Sequence, residues 1–446
     1  MPVLKKGDPS EVCNYRPISI LPACTKIFEK IIYAQIFDHV HPLISKNQHG
    51  FYKKRSTLTN LMDYEQFLAE NVMHGKQVDT VYTDFEKAFD HVDHQILLTK
   101  LQNVGIGPNI IELIRSWLSS RSQIVVIGDA KSTSITPSSG VIQGSILGPL
   151  LFLIFINDLT SIIESPCSLF ADDMKLYRQI NSIRDCLRLQ RDINRVSEWC
   201  QSNRLSLNIV KCSVLSTSYK SAGPTIFAYT IDSIVLSRQS SVNDLGVTFD
   251  SKLNFNTHID NIVRKSLKIL GFIMRITQNF RKAESLILLF NAFVRQRLEY
   301  CSVVWNPMYN CYIDQIERVQ RKFTRFLFFK FRIPYSDYNT RLSHYGMKKL
   351  ADRRIMSDEW TLFKIINDKI ESNLKTRIKY AERQRAIRRP PLFQIPTLST
   401  NVERNSVLQR LQRTHNDWFV EIDLSSTEFR FRRMIVTAIE NLHSNG

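Results

Sequence analysis

A chain of 446 residues is too long for one ordinary hydrophobic core, so two or three domains are expected. Its hydrophobic share of 43% is ample for globular packing. The formal charge of +18 is uneven: residues 261–446 carry 34 basic and 17 acidic side chains, against 26 and 25 in residues 1–260. A near-neutral half with clustered acids is joined to a strongly basic half, which points to a polyanionic partner, because Lys and Arg gain affinity by releasing counterions from phosphates.

The eight cysteines are scattered without a Cys-x-x-Cys pair, which excludes a zinc knuckle and a disulfide framework and fits a reduced intracellular compartment, cytoplasm or nucleus. The start, Met1 to Gly7, does not read as a signal peptide. The longest apolar run, Ile146 to Ile156, contains Gly148-Pro149 and is too short to span a bilayer, so no membrane partner is expected.

Along the chain, Thr25 to Ile32 has apolar residues at three- and four-residue spacing and predicts a helix with Lys26 and Lys30 on one face. Those lysines suit a solvated helix edge or a pair of cations over a triphosphate. Asn47 to Ser56 is a basic-aromatic loop suited to a single strand, by stacking and by phosphate contacts from residues such as Arg55. It leads into a helix from Thr57 to Asn71. Val81-Tyr82-Thr83 is a short buried strand with Asp84 at its C-terminal end. Two helices (95–103 and 108–119) and a hairpin turning at Gly128-Asp129 follow.

Ser139 to Pro149 holds Gln143 between flexible small residues, and Gly144 lets a backbone approach a substrate. An apolar helix, Leu150 to Leu159, follows. Phe170-Ala171-Asp172-Asp173 reads as a tight hairpin presenting two carboxylates at its tip, with a strand at Met174 to Tyr177. An amphipathic helix from Ile183 to Asn203 would bury Leu187, Ile193, Val196 and Trp199. Lys211 to Leu215 is a further strand, and Ser221 to Pro224 is a break. From His258 the pattern is long, basic and helical (258–278, 282–300 and 313–329). Arg321, Lys322 and Arg325 beside Phe323, Phe326, Phe328 and Phe329 give the most nucleic-acid-like helix, though a Phe core face with a solvated basic face reads equally well. Residues 375–389 are densely basic.

Adjacent carboxylates repel and favour a cation. Mg²⁺ takes one or two carboxylates and keeps its other positions for water and substrate phosphate. Two such ions serve an in-line displacement at phosphorus. His91 and His94 have ordinary spacing and read as structural.

The ordered set Asn14-Tyr15-Arg16-Pro17-Ile18-Ser19, Gln48-His49-Gly50-Phe51, Asp84 with Ala88-Phe89-Asp90, Gln143-Gly144-Ser145 with Gly148-Pro149, and Phe170-Ala171-Asp172-Asp173 resembles the reverse transcriptase of non-LTR (LINE-type, jockey-like) retrotransposons. The resemblance implies an α+β right-hand polymerase: fingers over 1–78, a palm with an antiparallel sheet over 79–220, the palm end and a helical basic thumb over 221–335, and a mostly helical region of unknown role over 336–446. It implies RNA-directed DNA synthesis from an RNA template, a DNA primer and dNTPs, with two Mg²⁺ ions, for which Mn²⁺ can substitute. Asp84 and Asp172 would hold the ions, with Asp173 beside them. Phe89 would be the gate that excludes a ribose 2′-hydroxyl, with Phe85 and Ala88 around it, and Gln143 and Gly144 would meet the nucleotide. Arg16, Lys26 and Lys30 would grip the triphosphate, and Lys211 would protonate the pyrophosphate leaving group. Arg55, Arg321, Lys322 and Arg325 would contact nucleic acid. Nothing resembles an upstream endonuclease, so an N-terminally truncated copy is expected; the alternative is a catalytically weak or inactive nucleic-acid-binding remnant. An RNA-dependent RNA polymerase is disfavoured by bulky Phe89.

Overall fold

The structure, a computed structural model, describes residues 1–5, 7–219, 223–382, 390–397 and 400–444. Ser221-Ala222 of the expected break and residues 383–389 of the basic run lie outside them. The principal elements in chain order are α1 (Ala23–Val40), α2 (Thr57–Met73), β1 (Gln77–Thr83), α3 (His94–Asn103), α4 (Pro108–Ser119) and α5 (Leu147–Ile156). Then come β2 (Cys167–Phe170), β3 (Asp173–Ile180), α6 (Ile183–Ser202), β4 (Ser213–Ser218), β5 (Ser237–Gln239), β6 (Ser241–Asp244) and β7 (Val247–Asp250). Helices α7 (Asn256–Ile276), α8 (Asn310–Lys330), α9 (Leu350–Ile366) and α10 (Glu428–Ser444) dominate the remainder, so the class is α+β.

Two compact units result: residues 1–56, 79–214 and 225–239 form one, and 57–78, 215–224 and 240–446 the other. This partition also breaks after residue 78 but has no break at 220 or 335, and it groups α2 with the later helices, on which α2 packs.

The largest sheet has five strands in the order β5-β4-β1-β3-β2. Strand β1 is central and buried along almost its whole length, which its β-branched Val78, Thr80, Val81 and Thr83 suit. Helix α5 is apolar on every side and is buried accordingly, apart from Pro149. It begins three residues before the expected start. Asp93 caps α3 by accepting from the backbone N–H of Gln95 and Ile96. Ser182 and Asp185 form a reciprocal capping box on α6.

One expected face turns out differently, and a second helix buries a charge. On α6 the buried stripe is Cys186, Leu189, Ile193, Val196, Trp199 and Cys200, and Leu187 lies outside it at 49% exposure. On α1 the buried side chains are Glu29, Ile32, Ile36, Phe37 and Val40, while Ile27, Phe28 and Ile31 face outward. The inward side of α1 thus includes a carboxylate, and buried Glu29 has polar partners of its own. Its Oε1 accepts from Trp117 Nε1 at 3.0 Å and its Oε2 from the backbone N–H of Ile146 at 2.6 Å.

In the second unit β6 and β7 form a hairpin, and α7 packs on α8. Phe290 stacks on Phe323 at 4.2 Å, and the fully buried Trp305 ring lies 5.0 Å from His258. The helix expected over 282–300 is interrupted by a π turn at Phe290–Arg295. On α8 the Phe core face and the solvated basic face are both present: Phe323, Leu327 and Phe328 are buried, while Lys322, Arg325 and Phe329 face outward. Among the described residues, no helix is long and apolar enough to cross a membrane.

Candidate active site

Strands β2 and β3 pair antiparallel with Phe170 opposite Asp173, leaving Ala171 and Asp172 as the turn. Ala171 sits in the left-handed region at φ +55°, which puts Asp172 at the tip. The hairpin forms where the apolar strands flanking Phe-Ala-Asp-Asp predict it. Asp84 comes immediately after β1. Its carbonyl accepts from Asn208 N at 2.7 Å, and Glu86 N donates to Ser206 O at 2.8 Å, so residues 84–86 run alongside 206–208. That pairing delivers Lys211, whose Nζ lies 2.7 Å from Asp84 Oδ2. The strand expected at Lys211 begins two residues later, and Lys211 itself occupies a turn.

Asp84, Asp172, Asp173 and Lys211 line a cleft of about 1220 Å³ that lies wholly within the first unit. Burial holds the Asp172 carboxyl above the usual carboxylate range. The charge of Asp84 pushes it the same way, and Arg16 and Lys5 pull against that shift. The two carboxylates therefore sense each other across the cleft. Asp173 is more exposed and opens β3.

The other wall carries Phe85, Ala88 and Phe89. Phe85 and Ala88 are buried, and Phe89 is half-buried with its ring stacked 4.3 Å from Phe152. Val141 N donates to Phe89 O at 2.8 Å, tying this wall to the 140–145 loop. In that loop Gln143 lines the cleft, but its Nε2 donates to Asp90 Oδ1 at 2.7 Å. Gly144 has φ +109°, and a Cβ there would fall 2.5 Å from Ser19 O. The close approach that requires glycine is thus to Ser19.

The remaining expected residues divide. Arg16 lines the cleft from the hairpin formed by Pro2–Leu4 and Tyr15–Pro17. Lys26 and Lys30 are exposed on α1 and are not among the cleft-lining residues. Arg55 donates to Ser45 O and Gln48 O, each at 2.8 Å, and stacks 4.1 Å from the Tyr52 ring, so its guanidinium supports its own loop. On α8, in the second unit, Arg321 pairs with Asp314 at 3.0 Å. Sequence reasoning missed Lys5 and Asp90 as cleft residues. Lys5 carried no signal, since a lysine at a short strand's end is ordinary; Asp90 was readable only as part of a motif.

Among the described residues, no three His, Cys, Asp or Glu side chains converge into a ready-made cation cage. The pair Asp84 and Asp172 nevertheless suits a divalent ion that completes its coordination with water and substrate oxygens. Lys211, already seated on Asp84, shows that this carboxylate favours a positive neighbour.

Residues 3–274 match the family described as "Reverse transcriptase (RNA-dependent DNA polymerase)". The chain is 27% identical over 338 residues to "RNA-directed DNA polymerase from mobile element jockey" of Drosophila funebris, covering 72% of this chain and 36% of that relative. It is 28% identical over 265 residues to the protein of the same description from Drosophila melanogaster, covering 57% and 29%. It is 27% identical over 230 residues to "Retrovirus-related Pol polyprotein from type-1 retrotransposable element R2" of Popillia japonica, covering 48% and 31%. The chain therefore spans about a third of the length of these relatives.

Proposed function

The chain belongs to the reverse transcriptase (RNA-dependent DNA polymerase) family, and we propose that its cleft extends a DNA primer on an RNA template, as the polymerase of a non-LTR retrotransposon. The observation that carries this reading is the meeting of Asp84 and Asp172 in one cleft, each delivered by a different part of the sheet.

Asp84 and Asp172 would hold the divalent cations, two Mg²⁺ in the expected case, with the negative charge of Asp173 beside them. The chemistry that divalent ions would supply there is activation of the primer 3′-hydroxyl toward the α-phosphorus of a dNTP and stabilisation of the leaving oxygen. Arg16 and Lys5 supply positive charge on the cleft wall for the triphosphate. Lys211, beside Asp84, would protonate the pyrophosphate leaving group. Phe89, braced by Phe152, presents a rigid ring against which a 2′-hydroxyl is excluded. Gln143, held by Asp90, meets the incoming nucleotide. The excess of Lys and Arg after residue 261, including Lys322 and Arg325, gives a phosphate-binding surface for template and primer.

Mg²⁺-dependent extension of a DNA primer on an RNA template, lost in Asp172→Ala, tests this reading. Binding of the duplex with no extension would instead assign the chain as a non-catalytic remnant.

A further inference from the structure

We infer that Gln48 is a positioning residue that clamps the Ala171-Asp172 turn and thereby aims the Asp172 carboxylate. This rests on the reading of Asp172 as a cation ligand. Gln48 is 3% exposed, and its side-chain amide uses both ends on one residue. Its Oε1 accepts from Ala171 N at 2.9 Å, and its Nε2 donates to Ala171 O at 3.3 Å. The same Oε1 accepts from Gly50 N at 2.8 Å. A side chain thus takes the place that a neighbouring strand would take beside the turn.

The surrounding backbone makes this a built feature. Strand β2 is an edge of the sheet, and its outer side is occupied by the 47–49 segment. His49 N donates to Leu169 O and Leu169 N donates to Asn47 O, both at 2.8 Å. Gly50 completes the fit, because a Cβ there would fall 2.4 Å from Ala171 N. Arg55 holds the segment from behind through Gln48 O. Ala171 occupies a left-handed conformation that costs a non-glycine residue energy and persists only where its surroundings impose it. The Gln48 amide holds both backbone groups of Ala171 in that conformation.

A carboxylate at the tip of a turn can swing; a cation needs it fixed. Partners that orient a metal ligand are worth about 10- to 100-fold in affinity or activity. The test compares wild type, Gln48→Leu, Gln48→Glu and Asp172→Asn in the full chain. Three readouts are taken: amide hydrogen exchange over residues 168–174 without metal, Mn²⁺ affinity, and kcat and KM for primer extension. Gln48→Leu is expected to speed exchange in that segment, weaken Mn²⁺ binding about tenfold or more, and lower kcat while KM for the primer–template stays unchanged. Gln48→Glu, which keeps the acceptor and loses the donor, is expected to fall between; should Gln48→Leu fail to fold, this variant carries the comparison. Unchanged exchange and unchanged Mn²⁺ affinity in the folded Gln48 variants, with binding lost in Asp172→Asn, would overturn the clamp and leave the active site standing. Mn²⁺ binding indifferent to Asp172→Asn would instead overturn the active-site reading, and exchange would still report on the clamp.

Discussion

Lys211 Nζ lies 2.7 Å from Asp84 Oδ2, so the Asp84 carboxylate is already paired with a cation from its own chain. Both side chains are partly exposed, at 43% and 33%, and an ion pair of that kind contributes little stability. Its weight is therefore in the chemistry. Replacing Lys211 with Gln removes a competitor for Asp84 and the proton donor together. Mn²⁺ binding to the nucleic-acid-free chain should tighten, while kcat for extension falls on the order of 10²-fold, the lower end for a lost general acid. Titration with Mn²⁺ and single-turnover extension measure the two effects separately; parallel losses in both would contradict this role.

The Asp172 carboxyl is held above its ordinary value, chiefly by burial. A folded pKa raised above the unfolded one stabilises the protonated native form, so the group's contribution is favourable at low pH and is lost as pH rises through the folded value. Asp172→Asn should accordingly raise Tm of the metal-free chain at pH 7, with the gain vanishing toward pH 3. Added Mg²⁺ should raise Tm of wild type and leave the variant unmoved. Thermal melts across pH, with and without Mg²⁺, check both signs.

His49 behaves in the opposite sense. Burial, with the charges of Arg55 and Lys175 adding, pushes its imidazole down to about 3 from the ordinary 6.5. The unfolded chain therefore binds a proton that the native chain refuses. The stabilisation is fully present above pH 6.5 and is lost as pH falls toward about 3, with a slope of at most about 1.4 kcal/mol per pH unit for one proton. His49→Gln should flatten urea-derived stability over that window by up to this slope. His258, lowered to about 4, keeps its own share in the variant.

Phe89 is braced by Phe152 at 4.3 Å and edges onto Phe51 at 6.1 Å, which makes it a stiff obstacle. Phe89→Val should raise incorporation of rNTPs relative to dNTPs by at least about tenfold, the scale of a steric pocket change. Competition extension assays with paired nucleotides read this ratio. Equal use of rNTPs by wild type would favour an RNA polymerase instead.

What the sequence disclosed followed from range. The Phe-Ala-Asp-Asp hairpin and the strand before Asp84 are local patterns, and both formed where alternation and turn chemistry place them. The set of ordered motifs supplied the family. Gln48 was visible as part of a motif, but its role was not, because its partner Ala171 is 123 residues away. Glu29 was hidden for the same reason: nothing around it in sequence announces Trp117 or Ile146. Lys26 and Lys30 were placed by loose analogy to a triphosphate grip, and they lie on the exposed side of α1. On α6, Leu187 belongs to an apolar series by spacing and is turned outward by one position's rotation.

Asp84 and Asp172 are proposed to bind together the ions that drive templated DNA synthesis. Primer extension by the purified chain on an RNA template, with dNTPs and Mg²⁺, measures it directly when wild type is set beside Asp84→Asn and Asp172→Asn. Extension by wild type that needs the divalent ion and falls by at least about 10³-fold in either variant is the predicted result. Duplex binding without extension by wild type, or extension that survives in both variants, would contradict it.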